Sequence, residues 1–347
     1  MNKKIKFGIF ADLHVDIMHD TQERLEAFLD ACRKEKVDFI IHLGDFCYPD
    51  DDRKCVCSHD KRPINIQLAL ERETYANKQK IMDLYNSFEK PSYHVLGNHD
   101  ADMCTKKQTL DFCGSESGSY YSFDMGGFHF IVLDPNYCRI NGEYIPFENG
   151  NYFEVEGQEE KMLPFLPPEQ IKWLEEDLAK TKFPSVLFSH QHLGYAGCGA
   201  SIVNVSDVKP ILANAPSGVA AAFCGHQHAD YVELEDNIWF VNINSMSNYW
   251  LGPDFVCEER YTKEIDEMYP CIKYTVPYRD ALFAFVTLDE NGIDIKGRQS
   301  DFVGISPKEQ GLYNEGTWFS NSYKHKYDVS ASIKDRYLSF DGKMIVK

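Results

Sequence analysis

Short runs of apolar, β-favouring residues alternate with amphipathic helical patterns through the first 250 residues of the chain. Such runs predict strands that are buried on both faces, because side chains pointing to either side are then apolar. The predicted strands are Lys4–Phe10, Val37–Leu43, Ser92–Leu96, Phe128–Leu133, Ser185–Ser189, Val219–Cys224 and Asn237–Ile243. Strands that alternate with helices indicate layers of sheet and helix, so the pattern predicts the α/β class.

Three segments between these strands have helical character. Apolar residues recur at i, i+3, i+4 and i+7 in two of them, first at Leu25, Phe28, Leu29 and Cys32 and again at Ile81, Leu84, Tyr85 and Phe88. Asp20, followed by Glu23, predicts a capped start for the first of these helices. The pair Pro167-Pro168 predicts the start of the third, because proline suits the first helical position.

Two further segments predict β-hairpins. Within Gly118–Leu133, two β-runs surround Gly126-Gly127, which suits a tight turn. Within Ala281–Lys296, two more surround Glu290-Asn291-Gly292. An antiparallel pair is therefore expected at each place, in addition to the strands of the alternating pattern.

Two long connections fit neither pattern. They cover residues 136–167 (the first connection) and 246–277 (the second connection), and both are rich in Tyr, Pro, Gly and acidic residues. Connections inside a domain have a median length of about 4–6 residues, so we expect these two to be insertions on the rim of a site. We also expect one main domain over residues 1–300 and an extension over 301–347 that packs on its body.

The chain is acidic and has an odd number of cysteines. Its 36 Lys and Arg residues stand against 54 Asp and Glu residues, which gives a formal net charge of −18. This argues against a polynucleotide or membrane partner, although a metal site can still bind a small phosphate ester. No apolar run approaches the ~20 residues of a membrane helix. The 11 cysteines in 347 residues favour reduced thiols, and therefore a cytoplasmic protein.

Polar residues follow five of the predicted strands at the point where each strand ends. Open α/β sheets bind ligands outside the carboxyl ends of their strands, so these residues are expected to converge. They are Asp12 and His14, then Asp45, then Asn98, His99 and Asp100, then His190, and finally His226 and His228.

Seven of these residues form a ligand set for transition metals. It comprises Asp12, His14, Asp45, Asn98, His190, His226 and His228. Oxygen and imidazole donors without a thiolate favour a site for Zn, Mn, Fe or Co over a thiolate-rich structural zinc site. Seven ligands exceed the four of one tetrahedral ion, and Asp45 could bridge two ions with its two oxygens. Two divalent ions would leave positive charge for an anionic substrate and would activate a water molecule.

The ordered set D-x-H, G-D, G-N-H-D, H and G-H-x-H resembles the calcineurin-like metallophosphoesterase family, and it spans Asp12 to His228. The resemblance implies a four-layer α/β/β/α sandwich, in which two mixed sheets are flanked by helices and residues 1–300 form the catalytic domain. It also implies two transition-metal ions, Mn, Fe or Zn. Asp12, His14 and His228 would hold one ion, Asn98, His190 and His226 the other, and Asp45 would bridge them.

The resemblance also implies roles for the two residues after Asn98. His99 would contact the phosphate, together with Asn98, and act as the acid towards the leaving oxygen. Asp100 would orient His99 and raise its basicity. Within the family the pattern is most similar to single-domain members, including the class III cyclic-nucleotide phosphodiesterases.

The function predicted is metal-dependent hydrolysis of a phosphomonoester or phosphodiester, with a small, nucleotide-like substrate favoured. A polynucleotide nuclease and a protein phosphatase of the same family are the alternatives, and the absence of a Lys/Arg stripe counts against the nuclease. A non-catalytic scaffold is an alternative of another class. It would be expected to lack His99 or a ligand, and none is missing.

Other residues near the motifs have weaker claims to a role. His192 and Tyr137 could contact the substrate, and an aromatic wall could form from Tyr48, Tyr137, Tyr195, Tyr249 and Trp250. Ordinary packing explains such residues equally well in a chain that is 14% aromatic. Cys55-Val56-Cys57, with His59, hints at a second metal or redox site. No partner pair follows it in the sequence, which disfavours that interpretation.

Overall fold

The structure, a computed structural model, describes residues 4–47, 77–151, 163–194, 201–252, 256–257, 260–269, 271–312 and 329–347. Two large mixed β-sheets lie face to face, and helices cover their outer surfaces. This is the four-layer sandwich that the family resemblance implies, and the α/β class that the sequence pattern predicts is confirmed.

The first sheet has seven strands in the order β17-β16-β15-β14-β1-β2-β3. β1, β2 and β3 run parallel to one another, and the other neighbours are antiparallel. In chain order the strands are β1 (Lys4–Phe10), β2 (Phe39–His42), β3 (Ser92–His94), β14 (Ala284–Asp289), β15 (Gly292–Gly297), β16 (Arg336–Ser339) and β17 (Met344–Val346).

The second sheet has six strands in the order β10-β11-β9-β8-β5-β4. Its four central strands are parallel, and each edge strand is antiparallel to its neighbour. In chain order they are β4 (Tyr121–Met125), β5 (Phe128–Val132), β8 (Ser185–Phe188), β9 (Val219–Cys224), β10 (Tyr231–Glu235) and β11 (Ile238–Asn242). Two small antiparallel sheets of two strands lie outside the large sheets. One pairs β6 (Tyr137–Ile140) with β7 (Glu143–Pro146), and the other pairs β12 (Asn248–Trp250) with β13 (Thr275–Pro277).

The helices divide between the two outer faces. They are α1 (Thr21–Glu35), α2 (described over residues 77–86), α3 (Lys106–Cys113), α4 (Pro168–Lys180), α5 (Val205–Ala213) and the short α6 (Lys263–Met268). The apolar faces of α1, α2 and α3 pack on the first sheet, and those of α4 and α5 pack on the second. Among the described residues, no helix combines the length and the hydropathy that crossing a bilayer requires.

The main core lies between the sheets and is rich in aromatic side chains. Phe7 of the first sheet stacks on Phe39, with ring centroids 4.7 Å apart, and meets Phe130, Phe188 and Phe223 of the second sheet edge-on. Offset and edge-to-face pairs of this kind add about 0.5–1.5 kcal/mol each beyond the area they bury. The two sheets are therefore held in a fixed relation, which in turn fixes the loops at their ends.

The described elements agree with the sequence pattern in most places. Each of the seven predicted strands is present, both hairpins form, and α4 begins at the second residue of Pro167-Pro168. The predicted capping role of Asp20 is wrong. Its side chain makes no capping hydrogen bond and instead accepts one from Arg24 Nε, at 2.7 Å.

The C-terminal segment is more integrated than its weak periodicity suggests. β16 and β17 extend the first sheet, and Ile333 and Leu338 are fully buried in the core between the sheets. A division of the chain at residue 300 remains a prediction. The eight cysteines in the described ranges are free thiols.

Candidate metal centre

Five loops from the two sheets meet at the carboxyl ends of β1, β2, β3, β8 and β9. Backbone hydrogen bonds join them: Asp12 N–H donates to Gly44 O, and Gly225 N–H donates to His190 O, both at 3.0 Å. The Asp12 carboxylate also accepts the backbone N–H of His226 at 3.1 Å, which ties the first sheet to the second. The predicted convergence of the polar residues is therefore present.

The first cluster consists of Asp12, His14 and His228, whose ligand atoms lie within 4.8 Å of one another. His228 Nε2 is 3.3 Å from His14 Nε2 and 3.4 Å from Asp12 Oδ1. All three residues are buried. Within the described chain Asp12 Oδ1 has no hydrogen-bond partner, which is rare for a buried carboxylate oxygen.

The second cluster consists of Asp45, His190 and His226, again within 4.8 Å, with Asn98 beside them. His190 Nε2 is 3.1 Å from both Asp45 Oδ2 and Asn98 Oδ1, and 3.2 Å from His226 Nδ1. Asp45 Oδ2 also lies 3.9 Å from His14 Nε2 of the first cluster. A single oxygen of Asp45 therefore faces both clusters, whereas the sequence led us to expect that both of its oxygens would bridge the two ions. The other oxygen, Oδ1, accepts the backbone N–H of His99 at 2.8 Å.

The tautomers of two histidines show that the clusters suit cations. His228 Nδ1 donates to Asn248 O and His190 Nδ1 donates to Leu43 O, each at 2.7 Å. In the neutral ring the other nitrogen, Nε2, then presents a lone pair to the cluster. Lone pairs, carboxylate oxygens and an amide oxygen converge without donors of their own, which is the donor set that divalent transition metals take.

The backbone at these positions is unusual. Five of the seven predicted ligands have positive φ angles between 48° and 69°, namely Asp12, His14, Asp45, His226 and His228. Non-glycine residues rarely adopt this left-handed region, and such outliers concentrate at functional sites.

Two glycines allow the loops after β2 and β3 to touch. A Cβ on Gly97 would lie 2.2 Å from Asp45 N and 2.1 Å from Asp45 Oδ1. A Cβ on Gly44 would lie 2.5 Å from Gly97 N. The G-D and G-N-H-D motifs therefore need glycine at both positions, because only a bare backbone permits this approach.

The role predicted for Asp100 is wrong. Its carboxylate accepts three backbone N–H groups, from Phe46 and Gly97 at 2.8 Å and from Asp45 at 3.0 Å. Burial, with the neighbouring Asp45 carboxylate, raises the pKa of Asp100, and the N–H donors oppose that rise. Asp100 thus clamps the turn that carries Asp45 against the loop after β3, and it does not orient His99.

His99 is oriented instead by Asp102, which the sequence analysis missed. His99 Nδ1 lies 3.0 Å from Asp102 Oδ2. The His99 ring also lies 5.6 Å from the His14 ring, centroid to centroid, beside the first cluster. Its side chain is 35% exposed, whereas those of His14, His190 and His228 are 3%, 0% and 7% exposed. His99 is thus more accessible to an incoming substrate than these three histidines.

The electrostatics of the centre reflect the balance between burial and the two ligand carboxylates. Burial lowers the pKa of His14 and of His226 to about 3, so both rings are neutral, as metal binding requires. Burial also lowers the pKa of His190 and of His99, but neighbouring carboxylates outweigh burial at both. Asp45 raises the pKa of His190 to about 9, and Asp102, together with Asp45, raises the pKa of His99 to about 10. Without a cation, a proton on His190 Nε2 takes the position next to Asp45.

The two long connections lie beside the centre in their described parts. In the first connection, Gly150 N–H donates to Ala101 O, at 3.2 Å, next to the turn that carries His99. In the second connection, Met246 N–H donates to Ala11 O, at 2.7 Å, next to Asp12. Both contacts are to loops that hold predicted site residues.

The other residues singled out by sequence have different positions. The structure places His192 in the core, because its ring is 1% exposed and stacks on Tyr231 and Phe240. Tyr137 is half-buried with the Lys106 ammonium 3.8 Å from its ring centre, and its substrate contact remains a prediction. Of the proposed aromatic wall, Tyr249 is buried and Trp250 is 42% exposed. Tyr48, Cys55, Cys57, His59 and Tyr195 lie outside the described residues.

With this geometry in place, the comparisons with known proteins identify the family. The family model for calcineurin-like phosphoesterases matches residues 5–230 of the chain. The chain belongs to the calcineurin-like phosphoesterase family. The match includes every strand-end loop that contributes to the two clusters.

Two known proteins are similar to this phosphoesterase-family chain over most of its length. Purple acid phosphatase 15 of Arabidopsis thaliana is 25% identical over 245 residues, which cover 62% of this chain and 38% of that protein. The chain therefore spans less than half the length of this curated relative. The solved structure of a dimetal phosphatase from Danio rerio covers 88% of this chain and 100% of its own, with a TM-score of 0.58 and 16% identity. That likeness shows the shared fold.

Proposed function

We propose that the chain is a metal-dependent hydrolase of phosphoester bonds. The observation that carries the proposal is the pair of buried clusters with Asp45 Oδ2 between them, 3.1 Å from His190 Nε2 and 3.9 Å from His14 Nε2. Family membership supports the same activity. A shared carboxylate oxygen with acceptors on both sides suits two metal ions at the short separation of two-metal hydrolases, about 3.5–4 Å.

The first cluster would hold one ion, and the second cluster, with Asn98, would hold the other. Bound ions of this kind, Mn, Fe or Zn, supply positive charge to the phosphoryl group and lower the pKa of a water molecule. The chain's part is to fix the donors before the substrate arrives. The carbonyls of Asn248 and Leu43 do this for His228 and His190, because they select the ring nitrogen that faces the cluster.

His99 would contact the phosphate and donate a proton from Nε2 to the leaving oxygen. Its Nδ1 is held by Asp102 at 3.0 Å, which fixes the ring orientation, and its backbone N–H is held by Asp45 Oδ1. An alkoxide is a poor leaving group, so a positioned acid typically contributes about 10²–10⁴-fold to turnover. In this proposal Asp102 takes the orienting role that the family resemblance gave to Asp100.

A small, nucleotide-like substrate suits the site best. The formal net charge of −18 disfavours a polynucleotide, because long-range repulsion would act along the whole polymer. The exposed side chain of Trp250 lies on β12, two residues from Asn248, which supports the first cluster. An aromatic face at that position could stack on a base or an aryl group. We propose a cytoplasmic location because the odd cysteine count favours reduced thiols.

The test begins with metal analysis of the purified protein and continues with a substrate panel. The panel contains p-nitrophenyl phosphate, bis(p-nitrophenyl) phosphate, the p-nitrophenyl ester of thymidine 5′-monophosphate, a cyclic nucleotide, a phosphopeptide and single-stranded DNA. We expect two ions per chain and the highest kcat/KM on a nucleotide ester. No turnover of any ester by protein that contains two ions would favour the scaffold alternative.

Trp250 separates recognition of the base from the chemistry. Trp250→Ala should lower kcat/KM for the thymidine ester and leave bis(p-nitrophenyl) phosphate less affected, if the indole stacks on the base. Phe340→Ala is the control, because Phe340 is another exposed aromatic residue. Trp239 would not serve as a control, because it is buried in the core. An equal loss on both esters would contradict a stacking role.

A further inference from the structure

A buried ion pair ties the C-terminal segment to the loop that carries two of the histidines. Arg336, at the start of β16, binds Asp230 with both terminal nitrogens of its guanidinium, at 2.6 Å from Nη1 to Oδ1 and 2.7 Å from Nη2 to Oδ2. Each residue is 5% exposed. Asp230 Oδ2 accepts a further hydrogen bond from the backbone N–H of Lys334, at 3.0 Å. The carboxylate is therefore held in one orientation by three donors from the segment 334–336.

Asp230 is the second residue after His228, in the loop between β9 and β10. His228 itself has a φ of 48°, and its ring is fixed by the carbonyl of Asn248. The loop between Cys224 and Tyr231 thus has one support at His228 and a second at Asp230. The second support comes from a segment that lies about 100 residues further along the chain.

The same segment reaches the first cluster by another route. The side-chain amide of Asn244 donates to Ser330 O at 2.9 Å and to Ser332 O at 3.1 Å. The next residue, Ser245, donates its hydroxyl to Asp12 O at 2.8 Å. Residues 330–336 therefore contact Asn244, which precedes the support of Asp12, and Asp230, which is two residues after His228. Arg336 lies beyond residue 230, where the family match ends.

We propose that residues 330–336 are a positioning element of the metal centre, with Arg336 as its main residue, acting on the first cluster through Asp230. This inference rests on the proposed function, because it assumes that the first cluster binds an ion. A bidentate pair between a guanidinium and a carboxylate constrains direction as well as distance, which a single contact does not. Residues that orient ligands in this way typically change metal affinity by about 10–100-fold when they are replaced.

The experiment measures metal affinity rather than activity. Chelator-stripped protein is titrated with Mn²⁺, and free Mn²⁺ is followed by electron paramagnetic resonance. In the Arg336→Lys variant a cation remains but the fork is lost. We expect one of the two binding constants to weaken by about 10–100-fold, and the other, for the second cluster, to stay at the wild-type value.

Two further variants separate positioning from general stability. The double variant Asp230→Leu/Arg336→Met buries no unpaired charge, so it should fold even if Arg336→Lys does not fold. It should show the same selective weakening of one Mn²⁺ site. Trp239→Phe is the matched control. It removes the hydrogen bond from Trp239 Nε1 to Ser339 O, 3.0 Å long, which ties β11 to the end of the same strand without touching Asp230. Trp239→Phe should lower the melting temperature and leave both Mn²⁺ constants unchanged.

The possible outcomes point to different conclusions. If wild-type protein binds two ions and the Arg336 variants bind both with unchanged constants, the positioning role is wrong and the proposed function stands. If Trp239→Phe weakens the same site equally, the effect reflects stability, and the proposal is again overturned. If wild-type protein binds no Mn²⁺ or other transition metal, the proposed function itself fails.

Discussion

The first and second clusters differ in where their support comes from. In the second cluster, the supports of His190 and Asp45 are Leu43 O and the Asp100 clamp, which belong to the strand-end motifs themselves. In the first cluster, the support of His228 is Asn248 O, in the second connection, and the support of Asp12 O is the hydroxyl of Ser245, directly before that connection. One half of the centre is therefore built from the family motifs, and the other half depends on segments outside them.

The comparison has a consequence for metal binding. Changes within the motifs should act on the second cluster or on both. Changes at Ser245 or in the second connection should act on the first cluster alone. His99 and Asp102 belong to neither cluster and support neither, so changes there should affect turnover without affecting metal content. Five variants test this division.

Asp45→Asn should have the largest effect, because Asp45 Oδ2 faces both clusters. Replacing the shared negative charge with an amide should weaken both Mn²⁺ sites by more than the about 10–100-fold typical of residues that only orient ligands. Activity should be lost with the metals. Titration of stripped protein with Mn²⁺ measures both constants, and Asp30→Asn, at an exposed helix position, is the control. A variant that keeps one site at full strength would show that Asp45 is not shared.

His99→Ala should come next, with an effect on turnover alone. The side chain lies beside His14 but belongs to neither cluster, so both ions should remain. Turnover of an alkyl phosphoester should fall by about 10²–10⁴-fold, as expected for loss of a general acid. The fall should be smaller for a nitrophenyl ester, since that leaving group needs little protonation.

Asp102→Asn is the companion to His99→Ala. It should shift the ratio of alkyl to nitrophenyl turnover in the same direction, by a smaller factor, because the ring is retained but less firmly oriented. Loss of a metal ion from either variant would mean that His99 supports the centre structurally. Equal losses on the two esters would point to phosphate contact without proton transfer.

Asp100→Asn should weaken the second cluster more than the first. The amide nitrogen would face backbone N–H groups that the carboxylate now accepts, so the clamp on the Asp45 turn would be lost. We expect about 10–100-fold weaker binding at one site. Hydrogen bonds to charged groups contribute about 1.5–3 kcal/mol each, so the metal-free protein should also unfold at a lower urea concentration. Equal weakening of both sites would break the division between the clusters.

Ser245→Ala should have the smallest effect, and on the other cluster. It removes the hydroxyl that donates to Asp12 O and accepts the N–H groups of Ser247 and Asn248, at 3.1 and 3.2 Å. A neutral hydrogen bond contributes about 0.5–1.5 kcal/mol, which corresponds to a few-fold to roughly tenfold change in the first-cluster constant. Mn²⁺ titration beside Asp100→Asn checks the contrast, because the two variants should affect opposite sites.

The sequence predicts well which residues converge at the centre and predicts their supports poorly, for a physical reason. Ligands follow buried strands in fixed motifs, so both the residue type and its place at the sheet edge can be inferred. The supports of the first cluster are a backbone carbonyl and a hydroxyl from a distant segment, and such contacts leave no pattern in the chain. β16 and β17, with four and three residues, are likewise too short to show periodicity.

The contact of His99 with Asp102, and not with Asp100, could have been predicted. His99–Ala101 forms a turn of 3₁₀ helix, in which residues i and i+3 lie on the same face. Asp102 is three residues after His99 and therefore shares its face, while Asp100 is turned into the core. Asp100 is next to His99 along the chain, but adjacent residues of a helical turn point in different directions. A carboxylate three residues after His99 is therefore the signal in the sequence that identifies its partner.

The five left-handed ligands also bear on how the protein folds and matures. Each non-glycine residue held at positive φ costs about 1–2 kcal/mol, and five together approach the net stability of a typical domain, about 5–15 kcal/mol. An unfolded chain rarely visits this conformation at all five positions at once, so the loops should close after the sheets have paired. A metal ion that binds only the closed loops would stabilise the folded chain by mass action, so the melting temperature should rise with the concentration of Mn²⁺.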